Sequence, residues 1–189
     1  MSGKENAQAP RGPAFTWTVI GAVIVAVGLV AFFLLGSSTS GGNRSEGDRS
    51  AGVTAPQMRL VDFSGKPFTL AEYRGTPVVV NFWASWCPFC IAEMPGFEEV
   101  HQALGDKVQF VGIDQRDNFD AAKRLAAETG VTYRLVKDPD GRAYDAIANG
   151  AMPTTAFIDA DGKVVEVVGS QLSEDQLRER ILNLFGVSA

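Results

Sequence analysis

Residues 78–84, "VVVNFWA", form a nearly continuous apolar run, rich in β-branched and aromatic side chains. A stretch of that length with so little polar alternation suits a strand buried on both faces, and such a strand belongs to a sheet covered by helices. Three residues later come the only two cysteines of the 189-residue chain, Cys87 and Cys90, in "CPFC". The pair therefore lies where a buried strand ends and the next element begins.

The pattern on either side extends this reading. "MRLVDFSGKPFTL" (58–70) alternates around Ser64-Gly65-Lys66 and predicts an N-terminal β-hairpin. A helix is expected over 88–104, with Pro88 near its start and a kink at Pro95. A second buried strand over 107–114 leads to a helix over 119–130 that stops at Gly130. A short strand (133–138) and a short helix (141–149) follow. "TTAFIDADGKVVEVV" (154–168) is a strand, an Asp-Gly turn and a strand. The last helix (173–185) opens on the capping box Ser173/Gln176, with Leu177, Ile181, Leu184 and Phe185 on one face. This order predicts an α/β fold with a mixed central sheet and helices on both faces.

The first third of the chain has a different character. Residues 1–16 are a short polar tail. Trp17–Leu35 is free of charge and long enough to cross a hydrocarbon core as a helix of roughly 20 residues. It is expected to be a transmembrane anchor; the apolar region of a cleaved signal is usually about 7–15 residues. Lys4 and Arg11 before the span are matched by Arg44 and Arg49 after it, so the positive-inside rule gives no orientation. A short tail, one span and a large following domain instead suggest a signal anchor with the domain on the extracytoplasmic side of the cell membrane. Residues 36–55, rich in Gly and Ser, cannot bury enough apolar surface to order themselves and read as a flexible linker. Residues 56–189 form the remaining domain. It carries 13 Lys and Arg against 19 Asp and Glu, without a basic stripe, which argues against a nucleic-acid partner.

A thiol at the mouth of a helix meets unpaired backbone N–H groups and the positive end of the helix dipole. Both favour thiolate, the nucleophile of disulfide exchange. Cys87 occupies that position and is expected to be the exposed, activated sulfur. Cys90, one turn on, shares its helix face and is expected to be the shielded one. A structural staple is disfavoured because so small a loop gains little from cross-linking. Structural zinc needs four ligands, and the chain offers two cysteines and His101. "DPDGRAYD" reads as a turn, its glycine misplaced for a calcium loop. His101 is expected on the solvated side of its helix.

"FWASWCPFC", with "AMPTTAFID" downstream, resembles the thioredoxin superfamily. More closely it resembles the membrane-anchored TlpA/ResA/CcmG (DsbE)-type thiol–disulfide oxidoreductases, over essentially all of 56–189. The resemblance implies a thioredoxin-like fold and a redox-active Cys87–Cys90 disulfide with no other cofactor. It makes Cys87 the attacking and Cys90 the resolving cysteine. Trp86 becomes the aromatic beside the sulfur, and Pro153, after Met152, a cis-proline facing the disulfide and bordering a groove for an extended substrate. Glu93, in "EMP", is implied to lie near the site, where its chemical role would be proton exchange with Cys90. Cytosolic thioredoxins carry a buried aspartate at the position of Asn81, and an amide cannot replace a carboxyl in moving protons; the acid must then be Glu93. The implied partners are exported proteins with thiols or disulfides, apocytochrome c among them, and a transmembrane thiol carrier. The implied roles are cytochrome c biogenesis or oxidative folding.

Two other functions fit parts of the pattern. A peroxiredoxin shares the strand–helix order, but "WASWCPFC" lacks the Pro-x-x-x-Thr/Ser-x-x-Cys run that precedes its reactive cysteine. A copper- or haem-handling binding module would use a wider cysteine spacing and a more distant histidine than His101.

Overall fold

The computed structural model describes residue 52 and residues 54–148 and 150–188. The tail, the span over 17–35 and most of the linker lie outside the described residues. Among the described residues no helix is long and apolar enough to cross a membrane.

Seven strands form one sheet in the order β2-β1-β5-β4-β3-β6-β7. They are β1 (Leu60–Asp62), β2 (Pro67–Phe68), β3 (Val78–Trp83), β4 (Gln109–Gln115), β5 (Arg134–Asp138), β6 (Thr154–Ile158) and β7 (Val164–Val168). The centre, β5-β4-β3, is parallel; β2-β1, β1-β5, β3-β6 and β6-β7 are antiparallel. Among the described residues there are four α-helices: α1 (Pro88–Leu104), α2 (Phe119–Thr129) and α3 (Arg142–Ile147) between strands, and α4 (Glu174–Phe185) after β7. The expected mixed α/β sheet is therefore present, and α1 continues through Pro95.

Two boundaries move for local reasons. Gly105 takes φ +55, and residues 105–107 tighten into a 3-10 turn before β4 begins at Gln109. At the other end, the chain already joins the sheet before residue 56. Thr54 bridges Lys163, the Ala55 N–H donates to the Gly162 carbonyl, and Ala55 is buried.

All six residues of β3 are buried, as its sequence demands, and they alternate between two cores. Val78, Val80 and Phe82 point to the α3 side, where Ala143, Tyr144 and Ile147 close over them with Val111, Ile113 and Val136. Val79 points to the opposite side with Phe97, Val100 and Leu104 of α1 and Leu177 and Ile181 of α4. On that side too, Trp83 packs with Met94 of α1 and Ala122 and Leu125 of α2. Leu184, assigned to the buried face of α4 by periodicity, stays 38 % exposed near the helix end. Helices thus cover both faces, with α1, α2 and α4 on one and α3 on the other. Parallel strands β3 and β4 end side by side, Trp83 opposite Asp114, and deliver the chain to the same edge.

Candidate active site

At that edge the chain leaves β3 through Ala84, Ser85 and Trp86 and enters α1 at Cys87. Cys87 is the N-cap, with extended backbone (φ −101, ψ 102), and Pro88 opens the helix. Proline suits this place because the first helical N–H groups have no partner within the helix. The Cys87 carbonyl accepts from Ile91 N–H at 3.2 Å, and its Sγ accepts from Cys90 N–H at 3.2 Å. Cys87 and Cys90 are joined as a disulfide, their Cα atoms 5.3 Å apart.

Both sulfurs are more enclosed than the sequence suggested. Cys90 has no exposed surface, and Cys87 retains only 4 %. The expectation of a freely exposed attacking sulfur is corrected accordingly: bonded to Cys90, Cys87 turns inward and joins the cluster of Trp83 and Met94. What projects around it is apolar. Trp86 is 56 % and Phe89 62 % exposed, the two most exposed large hydrophobic side chains of the described domain.

Ser85, two residues before Cys87, is held from the end of β4. The Ser85 N–H and hydroxyl both donate to the Asp117 carboxylate, one to each oxygen. Asp117 also accepts from Asn118 N–H at 2.6 Å.

The Met152–Pro153 peptide bond is cis. Tyr144 Oη (2.7 Å) and Thr154 Oγ1 (2.6 Å) both donate to the carbonyl of Ala151 and so fix the approach to it. Met152 is half-buried and packs against the cluster that contains Cys87 and Cys90. Pro153 itself is buried, immediately before β6, which pairs with β3 through Phe82 and Thr154. The loop expected to face the disulfide therefore adjoins it.

Glu93 is no surface glutamate. It is 97 % buried, one turn beyond Cys90 on α1. Its Oε1 accepts from Asn81 Nδ2 at 2.7 Å, and its Oε2 accepts from Leu172 N–H at 3.0 Å. Desolvation pushes its pKa up to about 7, against the two hydrogen bonds, which favour the carboxylate. The Asn81 position and the glutamate, linked in the sequence reading only by argument, touch across 12 residues.

Sequence reasoning missed a second buried acid. Asp114, the last residue but one of β4, is 4 % exposed, and its Oδ1 lacks a hydrogen-bond partner. Burial, and then the adjacent charge of Asp117, push its pKa up to about 8. A signal was available: an aspartate closing the apolar run "QFVGI" falls at the strand edge where the cysteines emerge. His101 also departs from expectation. It packs inward, 5.5 Å from the Phe110 ring and 5.9 Å from Tyr133, with its Nδ1 buried. Among the described residues no three His, Cys, Asp or Glu side chains converge in a way that could hold a metal ion.

Comparison with known proteins matches this geometry. Residues 51–167 fit the model of the AhpC/TSA family. The thiol–disulfide oxidoreductase ResA of Geobacillus thermodenitrificans is 30 % identical over 135 residues, covering 70 % of this chain and 76 % of that protein. ResA of Bacillus subtilis is 30 % identical over 131 residues, covering 69 % and 73 %. A secreted Mycobacterium tuberculosis disulfide oxidoreductase, homologous to E. coli DsbE, has a solved structure that superposes with a TM-score of 0.62. It is 32 % identical, covering 68 % of this chain and 96 % of that one. With its buried disulfide at the mouth of α1 and the cis-proline loop alongside, the chain belongs to the AhpC/TSA family as a ResA/DsbE-like thiol–disulfide oxidoreductase of the thioredoxin superfamily.

Proposed function

We propose that the protein is a membrane-anchored, extracytoplasmic oxidoreductase that exchanges disulfides with exported proteins through Cys87 and Cys90. The anchor is the charge-free segment 17–35, and 36–55 supplies the reach from the membrane. Apocytochrome c awaiting haem attachment and proteins in oxidative folding are the two substrate classes, with a transmembrane thiol carrier restoring the centre. The observation that carries the exchange chemistry is the place of Cys87, N-cap of α1, with Sγ within reach of the Cys90 N–H.

In the reducing direction, the Cys87 thiolate attacks one sulfur of a substrate disulfide. A mixed disulfide forms, and the second substrate sulfur leaves as thiolate and takes a proton from water. Cys90 then gives its proton to the Glu93 carboxylate and attacks Cys87 Sγ. The Cys87–Cys90 disulfide closes, and the first substrate sulfur leaves with the electron pair. Two electrons have passed to the substrate. The oxidising direction reverses each step. Glu93 suits this role because a group with a pKa near 7 can both accept and return a proton at neutral pH. The helix N-terminus stabilises the Cys87 thiolate between steps. Trp86 and Met152 would flank the substrate's cysteine, while the backbone before Pro153 pairs with an extended segment of substrate.

Trapping tests the assignment. With Cys90→Ala in the full chain, mixed disulfides on Cys87 should accumulate, and Cys87→Ala should give none. Equal yields from both variants would reverse or void the roles. Apocytochrome among the trapped proteins supports haem-maturation work, and a broad set of exported proteins supports oxidative folding.

A further inference from the structure

Glu93 accounts for one proton near the disulfide; the acid towards the end of β4 is unused by that mechanism. Asp114 stands opposite Trp83, the last residue of β3, on the α1 side of the sheet. Its carboxyl lies close enough to Asp117 for the two acids to interact, and Asp117 in turn holds the N–H and hydroxyl of Ser85. Two carboxyls can lie so close only if one carries a proton, since two adjacent anions in a buried place repel strongly. Asp117 already accepts from three donors, Ser85 N–H, Ser85 Oγ–H and Asn118 N–H. Asp114 has an unpartnered Oδ1 and no such donors. The proton therefore belongs on Asp114, which donates it to Asp117.

We propose that Asp114 is a positioning residue: with Asp117 it forms a one-proton latch that fixes the Ser85 turn and so presents Trp86 and Cys87. The inference rests on the reading of Cys87 as the attacking sulfur. The groups that face the latch agree with this proton count. From β5 come Asp138, which opposes ionisation of Asp114, and Lys137, which favours it. The Lys137 ammonium is partly engaged over the Phe119 ring at 4.1 Å. On α2, Asp120 and Lys123 pair with each other at 3.0 Å. On α1, the groups facing the sheet are Cys87, Cys90 and Glu93.

When Asp114 ionises, the latch holds two negative charges. The Ser85 turn loosens, and an incoming thiolate meets added repulsion at Cys87. Disulfide reduction should then slow as pH rises through about 8. Reduction of the oxidised full chain by dithiothreitol, followed by acid quench and thiol labelling from pH 6 to 10, isolates the effect. In this reaction the reagent closes to its cyclic disulfide, and Cys87 and Cys90 become thiols. Ionisation of the reagent is common to all variants and cancels in a ratio. The rate of the wild type relative to Asp114→Asn should fall about tenfold between pH 7 and pH 9.5, because the amide cannot ionise. Asp117→Asn, which weakens the hold on Ser85 from the other side, should flatten the same step and covers the case in which the first variant fails to fold. A pH-independent ratio for whichever variants fold would overturn the latch. If at the same time Cys90→Ala still traps partners, the exchange function survives and only this inference falls.

Discussion

The two faces of this sheet are built to different standards of polar satisfaction. Under α3 the core is dry: Val78, Val80 and Phe82 meet Ile113, Val136 and Ile147. The buried carboxylate on that face, Asp138, accepts from Ala143 N–H (2.9 Å) and Tyr144 N–H (3.0 Å). Under α1, strands β3, β4 and β6 carry Asn81, Asp114 and Thr155, and Asn81 meets Glu93. Asn81 Oδ1, Trp83 Nε1, His101 Nδ1, Asp114 Oδ1, Tyr133 Oη and Thr155 Oγ1 are buried there without partners. Buried polar atoms left unpaired cost about 1–3 kcal/mol each. One face is thus organised for stability, while the other gives up stability to keep protonatable groups beside a disulfide.

The largest test strikes the dry face. Phe82 is fully buried and meets Tyr144 edge-on at 5.6 Å. Phe82→Ala should cost about 3–5 kcal/mol in chemical denaturation. Exchange by the molecules that remain folded should keep the wild-type pH profile. If the profile changed with the stability, the division of labour between the faces would be broken.

The second test removes an acid from the polar face. Glu93 holds its proton up to about 7 in the fold, against an ordinary 4.5. The folded state therefore binds more protons than the unfolded one between those values. Its linked stability is fully present below 4.5 and is lost as pH rises through 7. Glu93→Gln, with the Asn81 amide turned to accept, should abolish that slope. At pH 8 the variant should be more stable than the wild type by up to about 3 kcal/mol. Resolution by Cys90 should slow by about 100-fold at neutral pH, measured as the lifetime of the mixed disulfide. A variant that gained stability without slowing would leave Glu93 a buried acid with no part in proton exchange.

Asn81→Asp sharpens the same point by restoring an acid on β3. It would place a second carboxyl at the 2.7 Å contact with Glu93. The two would share one proton, and the upper ionisation of the pair would move above 7. The expected cost at pH 8 is about 1–3 kcal/mol, vanishing in acid, because the second charge enters a buried site. No difference between acid and alkaline stability would mean that the Asn81 site is more solvated than its burial indicates.

Much of this architecture was legible in the sequence because its signals are local. The β3 run, the capping box of α4 and the Cys87–Pro88 start of α1 each depend on neighbouring residues, and each lies where its pattern placed it. The partners of Glu93 were not legible. Leu172 lies 79 residues away and contributes only its N–H, for which any residue but proline would serve. The Asp117–Ser85 contact spans 32 residues and uses side chains that read as ordinary loop polarity. The inward turn of His101 escaped because a single histidine on an amphipathic helix has no periodic signature of its own. What holds it against the sheet are the rings of Phe110, from β4, and Tyr133, from the loop before β5.

The smallest expected effect asks whether the two faces are independent at all. Asp138 belongs to the dry face through its bonds to α3, yet its charge is among those that oppose ionisation of Asp114 on the other side. Asn and Asp serve helix N-termini about equally, so Asp138→Asn should change stability by less than about 1 kcal/mol. It should nevertheless make Asp114 the stronger acid, because one negative neighbour is gone. Followed through the alkaline fall in reduction rate, the midpoint near 8 should move down by less than about one pH unit, since desolvation is the leading cause of its position and is untouched. A midpoint that stayed in place would mean that the sheet insulates one face from the other. A downward shift would mean that a carboxylate anchoring α3 also helps keep the proton on Asp114, so that the dry face contributes charge to the active one through a single layer of strands.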